Sequence, residues 1–262
     1  GTFIFSGSHA EYLGYEADAV TARGRITPAD VRITEARAIA YGSRVRLGPS
    51  AIGIDAPYRF QFAGHAERVD LRRFPKTVPM PHVESALAFE YGASGQFANA
   101  FIRGTATFAL SDFLGASIAS GATGFIDTLE EPFHYGGEGE VADVDLNHFG
   151  EQLGVSWLQD ERYRGLLSGR FHVDGSGADP ETMSLNAGGR LAEARLFQGR
   201  LANAEVSISV ENGSVHGVYD GEFSSIDPSI PMAESAYAAS LTGRGRARFA
   251  VPGLMRQTPG VK

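Results

Sequence analysis

Alternation of apolar and polar residues with a period of two constrains this chain more than any other feature of its sequence. The clearest example is the segment 205–211, where charged and hydroxyl side chains alternate with Val206, Ile208 and Val210. Such a period places one set of side chains on each face of a β-strand. Because the alternation recurs from end to end and helical periodicity is almost absent, the sequence predicts an all-β fold.

Turn signals follow the strands. Asn212-Gly213 suits the left-handed backbone at both central positions of a type I′ hairpin, and the alternation resumes at Val215. Aromatic runs at 58–62 and 133–135 also lead into glycines. We therefore predict repeated antiparallel hairpins that form a long curled sheet or an open β-groove, with short helices in the connectors.

Two landmarks recur along the chain with nearly constant separation. Strands end at three aspartates, and 28, 30 and 28 residues before each of them an acidic stretch runs into a glycine: Gly42 and Asp70, Gly115 and Asp145, Gly199 and Asp227. This regularity indicates internal repetition. We predict β-repeat units at 1–71, 72–146 and 147–228, followed at 229–262 by a connector and the start of a fourth unit.

Composition excludes several classes of function. The 262 residues include no cysteine, which removes disulfides, thiolate metal sites and cysteine nucleophiles. The net charge of −8 provides no basic surface for nucleic acid, so we expect no nucleic-acid partner. The first residue is Gly1 rather than Met, and we interpret the chain as a segment of a larger protein.

Residues with catalytic or metal-binding potential are scattered. The seven histidines lack metal-ligand spacing, and we interpret the polar cluster at 134–148 as a solvated strand face. No nucleophile elbow or phosphate-binding glycine loop occurs. We predict no enzymatic activity, no catalytic residue, no metal and no cofactor. A glycan-active enzyme would require two carboxylates that face each other across a cleft.

Irregular connectors occupy residues 71–85, 147–167 and 228–240. In the middle connector Leu153, Trp157 and Leu158 have helical spacing. They predict a short helix whose apolar side chains pack against one end of the sheet.

One stretch of the chain resembles a known family. Residues 169–177 (GRFHVDGSG), 191–201 (LAEARLFQGRL) and 221–227 (GEFSSID) follow one another as in the repeated unit of AsmA-like and TamB-like bacterial envelope proteins. The resemblance is strongest over residues 165–228 and is recognisable over 17–71 and 86–146.

The resemblance implies a location and a function. It implies an open apolar β-groove in the periplasm of a Gram-negative bacterium, which serves phospholipid transfer or outer-membrane assembly. The full-length protein would be anchored in the inner membrane. Contact with membranes and with other envelope proteins would then occur only through parts outside this chain.

The alternating apolar residues are the candidate lipid-binding residues. Such a surface would hold phospholipid acyl chains by burial of about 0.8 kcal/mol per CH₂ group. The candidates in the three predicted units are Tyr58, Phe60, Phe62, Phe133, Tyr135, Val206, Ile208, Val210, Tyr219 and Phe223.

The same residues also fit an alternative. They would form the dry core of a sandwich or closed solenoid in an extracellular structural or adhesive β-repeat protein. The two readings differ in the apolar area that stays exposed.

Overall fold

Antiparallel strands make up most of the structure. The computed structural model describes residues 1–12, 15–76, 82–98, 101–177 and 182–252, and these ranges contain seventeen strands and two short α-helices. The predictions of an all-β fold and of short helices in the connectors are confirmed. The chain divides into two compact units, one of residues 1–113 and 120–135 and the other of residues 114–119 and from 136 onward.

The first unit contains ten of the strands. They are β1 (Thr2–Tyr12), β2 (Tyr15–Ile26), β3 (Asp30–Ala40), β4 (Ser43–Leu47), β5 (Ser50–Gly53), β6 (Arg59–Val69), β7 (Ser85–Gln96), β8 (Phe101–Phe108), β9 (Ser111–Phe113) and β11 (Thr123–Asp127). A short 3-10 turn, Leu71–Arg73, follows β6.

Strands of the first unit pair largely in chain order. β1 pairs with β2 and β2 with β3, and β3 then pairs with both β4 and β5. β6 pairs with β4, β5 and β7, while β7 pairs with β8 and β9. β8 also pairs with β11. Because neighbours run antiparallel, each end of this sheet collects the starts of some strands and the ends of others.

The second unit has longer strands and both α-helices. Its strands are β10 (Ala116–Ile118), β12 (His134–Asp145), β13 (Leu166–Ser176), β14 (Ser184–Leu196), β15 (Gly199–Glu211), β16 (Ser214–Ile226) and β17 (Leu241–Pro252). The first two residues of β12 belong to the first unit. β10 pairs with β12, and β13 to β17 pair successively. The helices are α1 (Leu146–Leu153) and α2 (Ser229–Met232), and 3-10 turns occur at Ser156–Gln159, Glu161–Tyr163 and Ser235–Tyr237.

The predicted hairpin at Asn212-Gly213 joins β15 and β16. Both turn residues are left-handed, with φ of 51° and 70°, as a type I′ turn requires. In the turn before β15, Phe197 and Gln198 adopt the left-handed backbone, and Gly199 already belongs to the strand. Phenylalanine and glutamine rarely adopt this backbone, so the sequence gives no signal for this turn.

The three landmark aspartates share one local geometry. Their carboxylates cap the turns that follow: Asp70 accepts from the Arg72 N–H, Asp145 from the Asn147 and His148 N–H groups, and Asp227 from the Ser229 N–H. Two residues before each aspartate the backbone is left-handed, at Arg68, Asp143 and Ser225. This recurrence agrees with internal repetition. The unit boundaries themselves remain a prediction, and residues 253–262 of the predicted fourth unit lie outside the described residues.

The middle connector folds into a short helix and a small cluster of packed aromatic rings. Asp145 caps α1, and Gly154 ends it with a left-handed backbone, φ 70°. Trp157 lies in the 3-10 turn after the helix, with its ring 5.5 Å from the ring of Tyr163. The Tyr163 ring is in turn 6.1 Å from Phe197, in the turn between β14 and β15. Trp157 therefore lies outside the helix and packs on Tyr163 within the connector, Leu158 is half-buried beside Gly150, and Leu153 is exposed, so the three residues do not form the predicted helical row.

Candidate functional site

Five of the predicted lipid-binding residues share one face of the second unit. Direct partners in an antiparallel pair point to the same side of the sheet. Val206 pairs with Tyr219, Ile208 with Gly217 and Val210 with Val215, and Phe223 pairs with Leu201 on the same side. β17 extends this side with Ala247 and Phe249. We call this surface the apolar face; it comprises Val206, Ile208, Val210, Val215, Tyr219, Phe223 and Phe249.

Exposure varies strongly along the apolar face. Val210 and Val215 are buried, at 5% and 4% exposure, whereas Ile208 is 39% and Phe249 44% exposed. Val206, Tyr219 and Phe223 are half-buried. A layer packed over this face would bury its large side chains almost completely. Within the second unit, the face is exposed to solvent around Ile208 and Phe249.

A compact cluster anchors one end of the apolar face. Leu191, Ala194 and Ala204 are its buried centre, and the apolar side chains packed on it are Leu167, Phe171, Leu196, Leu201, Val206 and Tyr219. The phenol of Tyr219 donates a hydrogen bond to the carbonyl of Glu222. Burial raises the pKa of this phenol. The cluster gives this end of the sheet a local core, whereas Ile208 and Phe249 remain exposed.

In the first unit, Phe60 and Phe62 lie together on β6. Their ring centroids are 5.0 Å apart, and Phe60 also packs 4.6 Å from Phe97. Phe60 is only 7% exposed. It therefore serves as core in this unit, and Phe62 is half-buried beside it.

The remaining candidates lie elsewhere in the first unit. Tyr58 is in the turn between β5 and β6 with a left-handed backbone, φ 55°, and an exposed ring, so it does not continue the row of Phe60. Phe133 and Tyr135 lie where β12 begins, with ring centroids 5.8 Å apart, and both are half-buried.

Aromatic rings repeatedly cover glycines of the neighbouring strand. A Cβ on Gly217 would lie 2.0 Å from Cζ of Phe249, and one on Gly95 would lie 2.7 Å from Cζ of Phe60. The same relationship joins Phe3 to Gly24, Tyr91 to Gly64 and Phe223 to Gly245. Rings that lean over glycine cover their own sheet instead of projecting toward a second layer. This device suits a single sheet with a smooth apolar face.

Sequence reasoning missed several members of these surfaces. Phe249 belongs to the apolar face, and Phe89, Tyr91 and Phe108 form an edge-to-face row on β7 and β8. The sequence carries a signal for these rings, since Phe89 and Tyr91 are two residues apart and therefore point to the same face of a strand. Only the strand register shows which glycine of the neighbouring strand lies beside each aromatic ring.

The opposite face of the second unit is polar. Register pairs place Arg190 beside Glu205, Glu205 beside Asp220, and Asp220 beside Arg246. A shallow depression over Gly188 and Gly189 is lined by these groups together with His172 and His216. A row of alternating charge is typical of a solvated face.

Carboxylates with shifted pKa values are held in the ionised form. The hydrogen bonds from Arg37 and Arg23 lower the pKa of Glu35, those from Arg162 lower that of Asp160, and the Leu129 N–H and Arg103 lower that of Asp127. A general acid needs the opposite shift. Among the described residues, no group of three or more histidine, aspartate or glutamate side chains is arranged to hold a metal ion.

Comparisons of the chain with family models, with curated proteins and with solved structures found no match. Neither α-helix in the described ranges has the length and hydropathy needed to cross a membrane. What the apolar face does must therefore be inferred from its own geometry and chemistry.

Proposed function

We propose that this chain is a non-catalytic segment of an AsmA-like or TamB-like envelope protein, and that its apolar face binds phospholipid acyl chains. The observation that carries the proposal is the exposure of Ile208 and Phe249 on an otherwise continuous apolar surface. The family assignment rests on the sequence motifs at 169–177, 191–201 and 221–227.

Acyl chains suit this surface because they need no directional partner. Each buried CH₂ group contributes about 0.8 kcal/mol. Branched side chains such as Ile208 and rings that lie over glycine offer similar contacts at successive positions. A chain shifted by one CH₂ group exchanges one contact for an equivalent one, so bound lipid would slide without a large barrier.

The sheet of the second unit separates an apolar side from a charged side. The apolar face and the charged row of Arg190, Glu205, Asp220 and Arg246 lie on opposite sides of one sheet. Acyl chains would occupy the first side, while water reaches the second. On the resemblance at 169–177, 191–201 and 221–227 we also propose a periplasmic location and a role in phospholipid transfer or outer-membrane assembly.

Exposure argues against the alternative of a structural or adhesive repeat with a closed core. That reading requires Ile208 and Phe249 to be as buried as Val210 and Val215, yet they are 39% and 44% exposed. An exposed apolar surface of this kind usually marks a binding site.

Lipid extraction tests the proposal. The chain, purified without detergent from a Gram-negative host, is extracted with organic solvent and its lipids are identified by mass spectrometry. We expect phospholipid in a stoichiometric amount, and delipidated protein should bind an apolar fluorescent dye that phospholipid displaces. Absence of both lipid and dye binding would reject the proposal and favour a closed core.

A further inference from the structure

The last strand of the second unit has one open side. β17 pairs with β16 along its length, and no described strand of this unit pairs with its other side. Residues 241–244 and 246–250 are exposed, whereas β16 alternates with the buried Val215, Gly217 and Gly221. The outer row of backbone N–H and C=O groups on β17 is therefore available to a further strand.

Three arginines line this open edge on the polar face. Alternate residues of a strand point to the same side, so Arg244, Arg246 and Arg248 form one row. In the described part of the chain none of their guanidinium groups forms an ion pair, whereas Arg200 of β15 binds Glu193 at 3.1 Å. Their charge is thus available to a partner.

Carboxylates of β16 lie on the inner side of the row. The register partners of Arg244 and Arg246 are Glu222 and Asp220, and the partner of the third arginine is a valine. Neighbouring strands are about 4.8 Å apart, so a strand added outside β17 would lie one spacing from the arginines and two from these carboxylates. Charge interactions weaken with distance and are screened within about 8 Å at physiological salt. The arginines therefore dominate the field at the open edge.

The opposite side of β17 is apolar and mostly small. Gly243, Gly245 and Ala247 alternate with the arginines, and Phe249 follows them. The ring of Phe223 leans over Gly245, where an added Cβ would lie 3.3 Å from Cε1 of that ring. A strand with apolar side chains at the matching positions would extend the apolar face beyond β17.

Like charge disfavours β17 of a second copy as the added strand. An antiparallel pair of two β17 strands centred on Arg246 would place the two Arg246 side chains opposite each other and Arg244 opposite Arg248. Like charges directly opposite destabilise a pair of strands, whereas opposite charges stabilise it. The edge is therefore suited to a strand with carboxylates opposite the arginines.

We infer that the open edge of β17 binds an extended acidic segment of another polypeptide by strand addition. Its carboxylates lie opposite Arg244, Arg246 and Arg248, and the apolar side chains between them lie on the side of the apolar face. The backbone ladder provides affinity, and the alternating charges select the partner. This inference is independent of lipid binding, which uses neither the arginines nor the backbone of β17.

Peptides of matched composition test the inference. The acidic probe is an end-capped, fluorescent Glu-Val-Glu-Val-Glu-Val-Glu, and the basic probe has lysine in place of each glutamate. A third peptide contains the residues of the acidic probe in two blocks, which removes the alternation. A fourth is the acidic probe with every amide N-methylated, so that it cannot donate to a backbone ladder. Fluorescence anisotropy at physiological salt measures the affinity of each.

Charge reversal at the edge provides the variant and its control. Arg246→Glu/Arg248→Glu should bind the basic probe more tightly than the acidic one, and this gain also shows that the variant is folded. The control Arg170→Glu/Arg190→Glu makes the same change on the polar face of β13 and β14, away from the edge. It should bind the acidic probe within about threefold of the unchanged chain.

We expect the unchanged chain to bind the acidic probe at least about tenfold more tightly than the other three peptides. Absence of binding, or equal binding of the acidic and basic probes, would overturn the inference. Equal binding of the blocked or N-methylated peptide would do so as well, because charge alone would then account for it. A loss in the control as large as that in the edge variant would place the binding elsewhere on the polar face.

Discussion

The ring of Phe249 occupies the space that a side chain on Gly217 would need. The two residues are direct partners across β16 and β17, and a Cβ on Gly217 would lie 2.0 Å from Cζ of the ring. Gly95 has a similar relationship with Phe60, but a Cβ there would also lie 2.0 Å from the Phe101 carbonyl oxygen. An exposed ring can swing away, whereas a backbone oxygen in a strand cannot.

Alanine at the two glycines should therefore have different effects. We expect Gly217→Ala to change the free energy of unfolding by less than about 1 kcal/mol, since only the Phe249 ring must move. Gly95→Ala should lower it by about 1–3 kcal/mol, because the backbone must shift. Urea unfolding followed by far-ultraviolet circular dichroism measures both, and equal effects would contradict the ring-over-glycine account.

Charge on the apolar face should remove bound lipid without unfolding the chain. Ile208→Glu places a carboxylate among the acyl chains, and we expect lipid content to fall about tenfold because the buried charge costs more than about 1.4 kcal/mol. Ser207→Glu is the matched control on the opposite face of β15. Loss of lipid in both variants, or in neither, would count against the apolar face as the binding surface.

Phe60 and Ile208 are both apolar positions of an alternating strand, but they should contribute differently to stability. Phe60 is buried against Phe62 and Phe97, so Phe60→Ala should lower the free energy of unfolding by about 3–5 kcal/mol. Ile208 is more than a third exposed, and Ile208→Ala should cost about 1 kcal/mol. Chemical denaturation of both variants checks this order, which a sealed core around Ile208 would reverse or equalise.

The cap of α1 should depend on one carboxylate. Asp145 accepts from the N–H groups of Asn147 and His148, and Asp145→Ala should lower the free energy of unfolding by about 1 kcal/mol. Asp145→Asn keeps an acceptor and should recover most of the loss. Thermal unfolding of the three proteins at neutral pH makes the comparison, and an Asn variant no better than Ala would reject capping as the role.

Acid should weaken the turn after β6 through Asp70. Hydrogen bonds from the Arg72 side chain lower the pKa of this carboxyl in the folded chain. The unfolded chain then binds more protons, so the contribution of Asp70 is complete above about pH 4 and disappears as the pH falls through the folded pKa. We expect the stability advantage over Asp70→Asn, measured by urea unfolding, to shrink as the pH falls below about 4. An advantage that does not change with pH would exclude the carboxylate as its source.

The recurring aspartates show which features of the strand ends can be predicted from local sequence and which cannot. Asp70, Asp145 and Asp227 were recognisable as strand ends from spacing, and each caps the following turn. The left-handed residues two positions earlier, among them Arg68 and Ser225, left no signal, because neither arginine nor serine favours that backbone.

The sequence by itself determined the all-β class, the hairpin at Asn212-Gly213 and the face on which Val206, Ile208 and Val210 lie. These properties depend on residues that are neighbours along the chain or share one strand. Tertiary structure decided that Phe60 is core and Ile208 is exposed. The reason is physical: exposure depends on which distant strands and turns cover a side chain, and a period of two specifies only the direction in which that side chain points.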